Sequence, residues 1–190
     1  MAIIVEGPDA SGKSTLCRTL ANEFNMTHII SGGAPPDHKS VLDYCRFQLK
    51  HCSERQTLID RVTPISHQIY NPEYEGNLEL AEFLNQMVTN NEYTILVYCR
   101  PPIEALMRPE KHEWKDYDTE DHKQKILLNQ MQYIGKYDEF FSKQPHISYD
   151  YTMDNDGDIN IHLISMIAAS AYDDHVLAEL RGLMKNDSKR

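Results

Sequence analysis

Val5-Glu6-Gly7-Pro8-Asp9-Ala10-Ser11-Gly12-Lys13-Ser14-Thr15 follows the apolar run 2–5 and leads into a segment with Leu16, Leu20 and Phe24 on one stripe. A run apolar at every position suits a strand buried on both faces, and the four-residue spacing after it predicts a helix over 14–24. Between them, residues 7–14 satisfy G-x-x-x-x-G-K-[ST]. The glycines let the backbone curl so that successive N–H groups face inward, and the helix N-terminus adds its partial positive charge. Such a loop is built for phosphate. Lys13, expected to stand exposed on the loop, reaches β- and γ-phosphates, and Ser14 offers its hydroxyl to Mg²⁺. Gly7, Asp9, Ala10, Ser11, Gly12 and Thr15 complete the cradle, so the cofactors expected are ATP and Mg²⁺.

Working outward, 27–31 reads as a second strand, 38–51 as a helix, 56–60 as a strand ending in a carboxylate, and 78–89 as a helix. Residues 93–99, "YTILVYC", form the clearest strand, 120–141 a long helix, and "HISYDYT" a last strand, with helical stretches over 159–171 and 174–185. Gly32, Gly33, Pro35 and Pro36 make the segment after the second strand a loop. The alternation predicts an α/β domain of three layers, a mostly parallel sheet of about five strands covered by helices on both faces. In such a sheet ligands bind beyond the carboxyl ends of the strands, so Asp60 and Lys13 should converge.

The chain has 190 residues and a net charge of -10, with no linker composition, internal repeat or run long enough to span a bilayer. That predicts one domain over 1–190, with small molecules favoured over nucleic acid as partners. Cys17, Cys45, Cys52 and Cys99 lack C-x-x-C spacing, and the start "MAIIVEG" has no leader pattern, so a soluble, cytoplasmic protein in a reducing compartment is expected. The seven-residue spacing of Cys45 and Cys52 suits a shared helix face better than a metal site. The nine histidines form no H-E-x-x-H pair, which argues against metallohydrolase chemistry.

"EGPDASGKST" resembles the P-loop of thymidylate kinases, and the resemblance extends to "IDRVTPIS" and to the element order. The broader group it resembles is the P-loop nucleoside and nucleotide kinases, phage-encoded relatives included. That group carries Asp-Arg or Glu-Arg at the end of the third strand, here Asp60-Arg61. The resemblance implies that Asp60 sits near acceptor and metal and that Arg61 steadies phosphate. It also implies that a loop after the last strand lies by adenine. Where thymidylate kinases carry an arginine in a Thr-Arg-Glu-Pro-Gly-Gly-like loop, this chain reads "ISGGAPP", and Val62 replaces their tyrosine. Arg46 and Arg55 are candidate substitutes for the lost cation.

Residues 103–119 form a candidate lid. Phosphoryl transfer spreads negative charge that a closing segment can meet with a cation, and Arg100 or Arg108 is the candidate; a solvated loop of alternating charge is the competing reading. Tyr70 and Tyr74 could frame a base or sugar pocket or pack as a surface turn. "DYTMDNDGD" lacks the glutamate of a calcium loop and reads as a strand end and turn. The expected function is transfer of the γ-phosphoryl of Mg-ATP to a deoxynucleoside monophosphate of thymidylate type. The alternatives are a free deoxynucleoside, a hydroxymethylated pyrimidine in DNA, and an NTPase switch or motor without an acceptor. The partner set is a small nucleotide, with DNA and a homodimer left open and no membrane.

Overall fold

A computed structural model describes residues 2–31, 37–54, 56–89, 94–108 and 120–152. The first strand, β1 (Ala2–Glu6), is buried at all five positions and is followed by the loop and by α1 (Lys13–Phe24). Next come β2 (Thr27–Ile30), α2 (His38–Cys52), β3 (Thr57–Asp60), α3 (Thr63–Tyr70) and α4 (Asn77–Leu84), the last running into a π-helical turn over Asn85–Thr89. The described elements close with β4 (Thr94–Cys99), α5 (Ile103–Leu106), α6 (Glu120–Phe141) and β5 (Ile147–Tyr149). The five strands pair in parallel in the order β2-β3-β1-β4-β5. This is the expected α/β architecture.

Alternation along β1 sorts the layers. Ile3 and Val5 face α1 and pack with Leu16, Cys17 and Leu20. Ala2 and Ile4 face the other way, onto Ile65 and Ile69 of α3 and Tyr137 and Phe141 of α6. Because a strand's side chains alternate, the last residue, Glu6, falls on the α3 and α6 face. Paired residues of parallel strands share a face, so Asp60, opposite Val5 and Ile30, projects toward α1. The two carboxyls at the top of β1 and β3 therefore lie on opposite sides of the sheet.

Most expected elements form within a residue or two, and three details differ. The pattern reading assigned no element to 63–70, yet α3 forms there: Pro64 sits in its first turn, where a missing N–H costs nothing, and Ile65 and Ile69 bury one turn apart. The last strand is only Ile147–Tyr149, because the Asp150 carboxylate accepts from the backbone N–H of Thr152 (2.8 Å) and turns the chain. Residues 103–106 form the short helix α5. The rest of the candidate lid (109–119), the loop 32–36, Arg55, the remainder of "DYTMDNDGD" and the helices expected over 159–171 and 174–185 lie outside the described residues. All four cysteines are buried and none is in a disulfide, with Cys45 and Cys52 both on the inner face of α2. No helix of the described residues is long and apolar enough to cross a membrane.

Candidate active site

The loop has a backbone that other residues would resist. Gly7 has φ 148°, and a Cβ there would lie 2.5 Å from the Cys99 carbonyl oxygen and 2.9 Å from Ser11 Oγ. Gly12 has φ 85°, and a Cβ would meet the Tyr151 ring at 2.8 Å. Ala10, at φ 60°, carries left-handed strain without a glycine's excuse, as residues at functional loops do. A pocket of about 500 Å³ opens over the loop, lined by residues 10–15 and by Tyr149 and Tyr151. Ser14 and Thr15 are exposed in the first turn of α1.

Lys13 departs from expectation. It is only 7% exposed, and its ammonium donates to the Pro8 carbonyl and to Ser11 Oγ (3.3 Å) inside the loop. Burial and the charge of Arg61 lower its pKa. The positive charge is therefore stationed within the loop before a ligand arrives, folded back by carbonyl and hydroxyl acceptors that only the closed loop provides.

Arg61 links the third strand to the loop. Its φ of 72° is left-handed; its N–H donates to the Val5 carbonyl (2.9 Å) and its guanidinium to Asp9 Oδ1 (2.7 Å). The guanidinium carbon lies 5.7 Å from the centre of the Tyr70 ring. Burial works against its charge, but Tyr137, Glu6, Tyr70 and Asp9 hold it firmly protonated. Asp60 is nearly buried at the end of β3, and among the described residues no hydrogen bond reaches its carboxylate. Asp9 is further tied down through its carbonyl, which accepts from Gln130 of α6 (2.6 Å).

Glu6 is the residue the pattern reading passed over. It is fully buried; one oxygen accepts from the Val62 N–H (2.6 Å), the other from the Gly7 N–H and the Tyr137 hydroxyl (3.3 Å each). Burial pushes its carboxyl up to about 7 against the pull of Arg61, the Val62 N–H, Lys13 and the Gly7 N–H. The available signal was a charge closing an otherwise apolar strand directly before Gly7. Gln48 of α2 was equally silent. Its amide accepts from the Thr63 N–H (2.8 Å) and donates to Ser31 Oγ (2.7 Å) and the Arg61 carbonyl (3.2 Å), fixing the β3–α3 turn that aims Arg61.

The other candidate cations separate. Arg100 is forked onto Asp138 of α6 (Nε to Oδ1 2.7 Å, a terminal nitrogen to Oδ2 2.9 Å), with the Tyr98 hydroxyl on the same carboxylate, so it clamps α6 to β4. Arg108 is exposed, and its charge is felt at the loop pocket's wall: burial raises the Tyr151 hydroxyl while Arg108 pulls it back. Arg46 stays on the surface, paired with Asp43 (2.6 Å). Tyr70 packs tilted against Tyr133 and edge-on to Tyr137, whereas Tyr74 touches His38 and His67 and lines a second pocket of about 560 Å³ with Glu73, Glu75 and Glu79.

The YorR protein of Bacillus subtilis, solved in complex with phosphorylated GDP, superposes with a TM-score of 0.63 at 17% identity, covering 87% of this chain and 96% of that one. The chain has the same fold. Deoxyadenosine kinase from M. mycoides, with products dCMP and a flexible dCDP bound, gives 0.50 at 16% identity over 90% and 99% of the two chains. A gluconokinase from Sinorhizobium meliloti gives 0.50 at 13% identity over 98% and 97%. No protein-family model and no curated protein matches the chain.

Proposed function

We propose that the chain is a kinase that passes the γ-phosphoryl group of Mg-ATP to an acceptor of the nucleoside class. The observation that carries this reading is the pair of cations, buried Lys13 and half-buried Arg61, held at the strand ends beside the loop with Glu6 and Asp60 on either side of the sheet. The loop fits a polyphosphate because its left-handed backbone leaves room where a Cβ would collide. Tyr149 and Tyr151 at the pocket wall suit the flat face of a base. The exposed Ser14 hydroxyl and the Asp60 carboxylate, which accepts no hydrogen bond among the described residues, are an oxygen donor set that suits Mg²⁺ and would hold it. When bound, Mg²⁺ neutralises charge on the phosphate oxygens and aligns them for displacement.

The chain's own residues then divide the work. Lys13 and Arg61 oppose the negative charge that spreads over the transferring group, at positions set before the reaction and so with little reorganisation. Asp9 anchors Arg61 to the loop, and Gln48 fixes the turn it rides on. Arg108, whose charge reaches Tyr151, is the better placed of the two lid cations, since Arg100 is held by Asp138.

The acceptor is read from Glu6 and the second pocket. A monophosphate acceptor arrives as an anion and needs no base, whereas a hydroxyl must lose a proton as it attacks. Glu6, with its carboxyl pushed to about 7, is poised to take that proton. The three glutamates around Tyr74 also oppose a dianion more than a neutral sugar or base. These observations favour a free deoxynucleoside-type hydroxyl. A thymidylate-type monophosphate, which the P-loop resemblance suggests, is the second reading. The test is label transfer from γ-labelled ATP to a panel of deoxynucleosides, their monophosphates and duplex DNA with and without hydroxymethylated pyrimidines. Label on nucleosides is expected; label on monophosphates alone would overturn the hydroxyl assignment, and ATP consumption without any acceptor would overturn the kinase.

A further inference from the structure

One cluster of ligating groups shares only its carboxylate, Asp60, with the chemistry above. Cys17 of α1, His28 of β2 and Asp60 of β3 bring a thiol sulfur, a ring nitrogen and a carboxylate oxygen within 4.8 Å of one another. The strand register explains the meeting: His28 pairs with Leu58 and Ile30 with Asp60, so both polar side chains project to the face that α1 covers, and Cys17 points down from that helix into the same core layer. His28 Nε2 is buried and has no hydrogen-bond partner among the described residues, an arrangement that ordinarily carries a desolvation cost. Cys17 is fully buried, and burial foremost, with Asp60 and Cys99 adding, keeps its thiol protonated. Of the three groups, the His28 ring nitrogen is the one left buried without a partner among the described residues, and a metal ion on it would supply one.

We infer that Cys17, His28 and Asp60 form a binding site for a borderline-soft divalent cation of the zinc class, and that filling it takes Asp60 away from phosphoryl transfer. The second half rests on the kinase reading; the first does not. Zn²⁺ takes mixed S, N and O ligands at about 2.0–2.3 Å in tetrahedral array, leaving one position open when the protein supplies three. Closing three ligand atoms from within 4.8 Å to that spacing requires side-chain movements of about 1 Å. On binding, the Cys17 S–H bond is replaced by sulfur–metal coordination and the proton leaves to solvent. Mg²⁺, which wants oxygen ligands in octahedral array, is a poor match for sulfur and imidazole, so the two cations compete only through the shared carboxylate.

The experiment is a titration of the metal-free full chain with Co²⁺, then Zn²⁺, without nucleotide and with Mg²⁺ as control. One Co²⁺ per chain is expected, with a thiolate-to-cobalt absorption band that Zn²⁺ abolishes and Mg²⁺ leaves in place. Cys17→Ser should remove the band and weaken binding at least ~100-fold, the upper end of what losing even an outer partner costs. His28→Gln, on the half-buried edge strand, tests the site without disturbing the core. It should weaken binding comparably while keeping the sulfur band. A band that survives Cys17→Ser, or an affinity unchanged in His28→Gln, would overturn the site. Zn²⁺ should also inhibit transfer by the unaltered chain, reversibly by chelation, and His28→Gln should resist it. Stoichiometric binding with transfer undiminished would overturn the inhibitory role. A chain that binds Co²⁺ through Cys17 but transfers no phosphoryl group at all would sink the kinase proposal alone.

Discussion

At Glu6 a single proton couples stability to chemistry. Burial pushes the native carboxyl up to about 7 from its ordinary 4.5, so between those values the folded chain holds a proton that the unfolded chain has released. Stability contributed by this group is thus complete at acid pH and declines as pH rises toward 7, by ~3 kcal/mol in all. Glu6→Gln mimics the protonated form and should flatten that decline in denaturant midpoints measured from pH 4.5 to 8. The same variant should lose the rise of kcat/KM through pH 7 that a proton acceptor imparts; a rise that persists would assign the base elsewhere. Lys13 makes a different case, because its ammonium is buried beside another cation. Lys13→Met keeps the apolar stem, so turnover should fall ~10²-fold or more while the melting midpoint stays near that of the parent.

Among the elements, the junction of β3 with α3 is where the site is aimed. Arg61 holds a left-handed backbone there because its N–H is taken by Val5 and its carbonyl by Gln48. Gln48 is fully buried and joins α2 to the end of β2 and the start of α3 through three hydrogen bonds. Gln48→Leu would preserve bulk and strand the Thr63 N–H, at a cost of ~1–3 kcal/mol in urea unfolding. Turnover should fall by more than KM rises, since Arg61 would lose its aim; a purely structural glutamine would lower stability and leave the turnover of folded enzyme intact.

For the whole molecule, charge and fold act together. A net charge of -10 repels a polyanion, whereas a triphosphate meets local positive charge at Lys13, Arg61 and the α1 N-terminus. Mg-ATP at a hundredfold excess over its Kd should stabilise the chain by ~2.7 kcal/mol, and Lys13→Met should lose most of that gain. Duplex DNA should give no stabilisation at physiological salt. A shift with DNA that shrinks steeply as salt is added would reveal a basic groove and return DNA to the acceptor question.

The loop, the alternation of strands and helices, the parallel sheet and the placing of Asp60 at a strand end were all legible in one dimension, because glycine spacing, buried strands and helical stripes are local properties. Short α3 escaped because eight residues with Pro64 and β-branched neighbours carry too little periodicity. The buried state of Lys13, the Asp9–Arg61 link, the Arg100–Asp138 clamp and the proton affinity of Glu6 belong to the tertiary structure. Each depends on what a distant segment places opposite a side chain. Glu6 meets Val62 and Tyr137, 56 and 131 residues away, and only the packing of β1, β3 and α6 decides whether a carboxyl at that strand end faces water or a buried interior near an arginine.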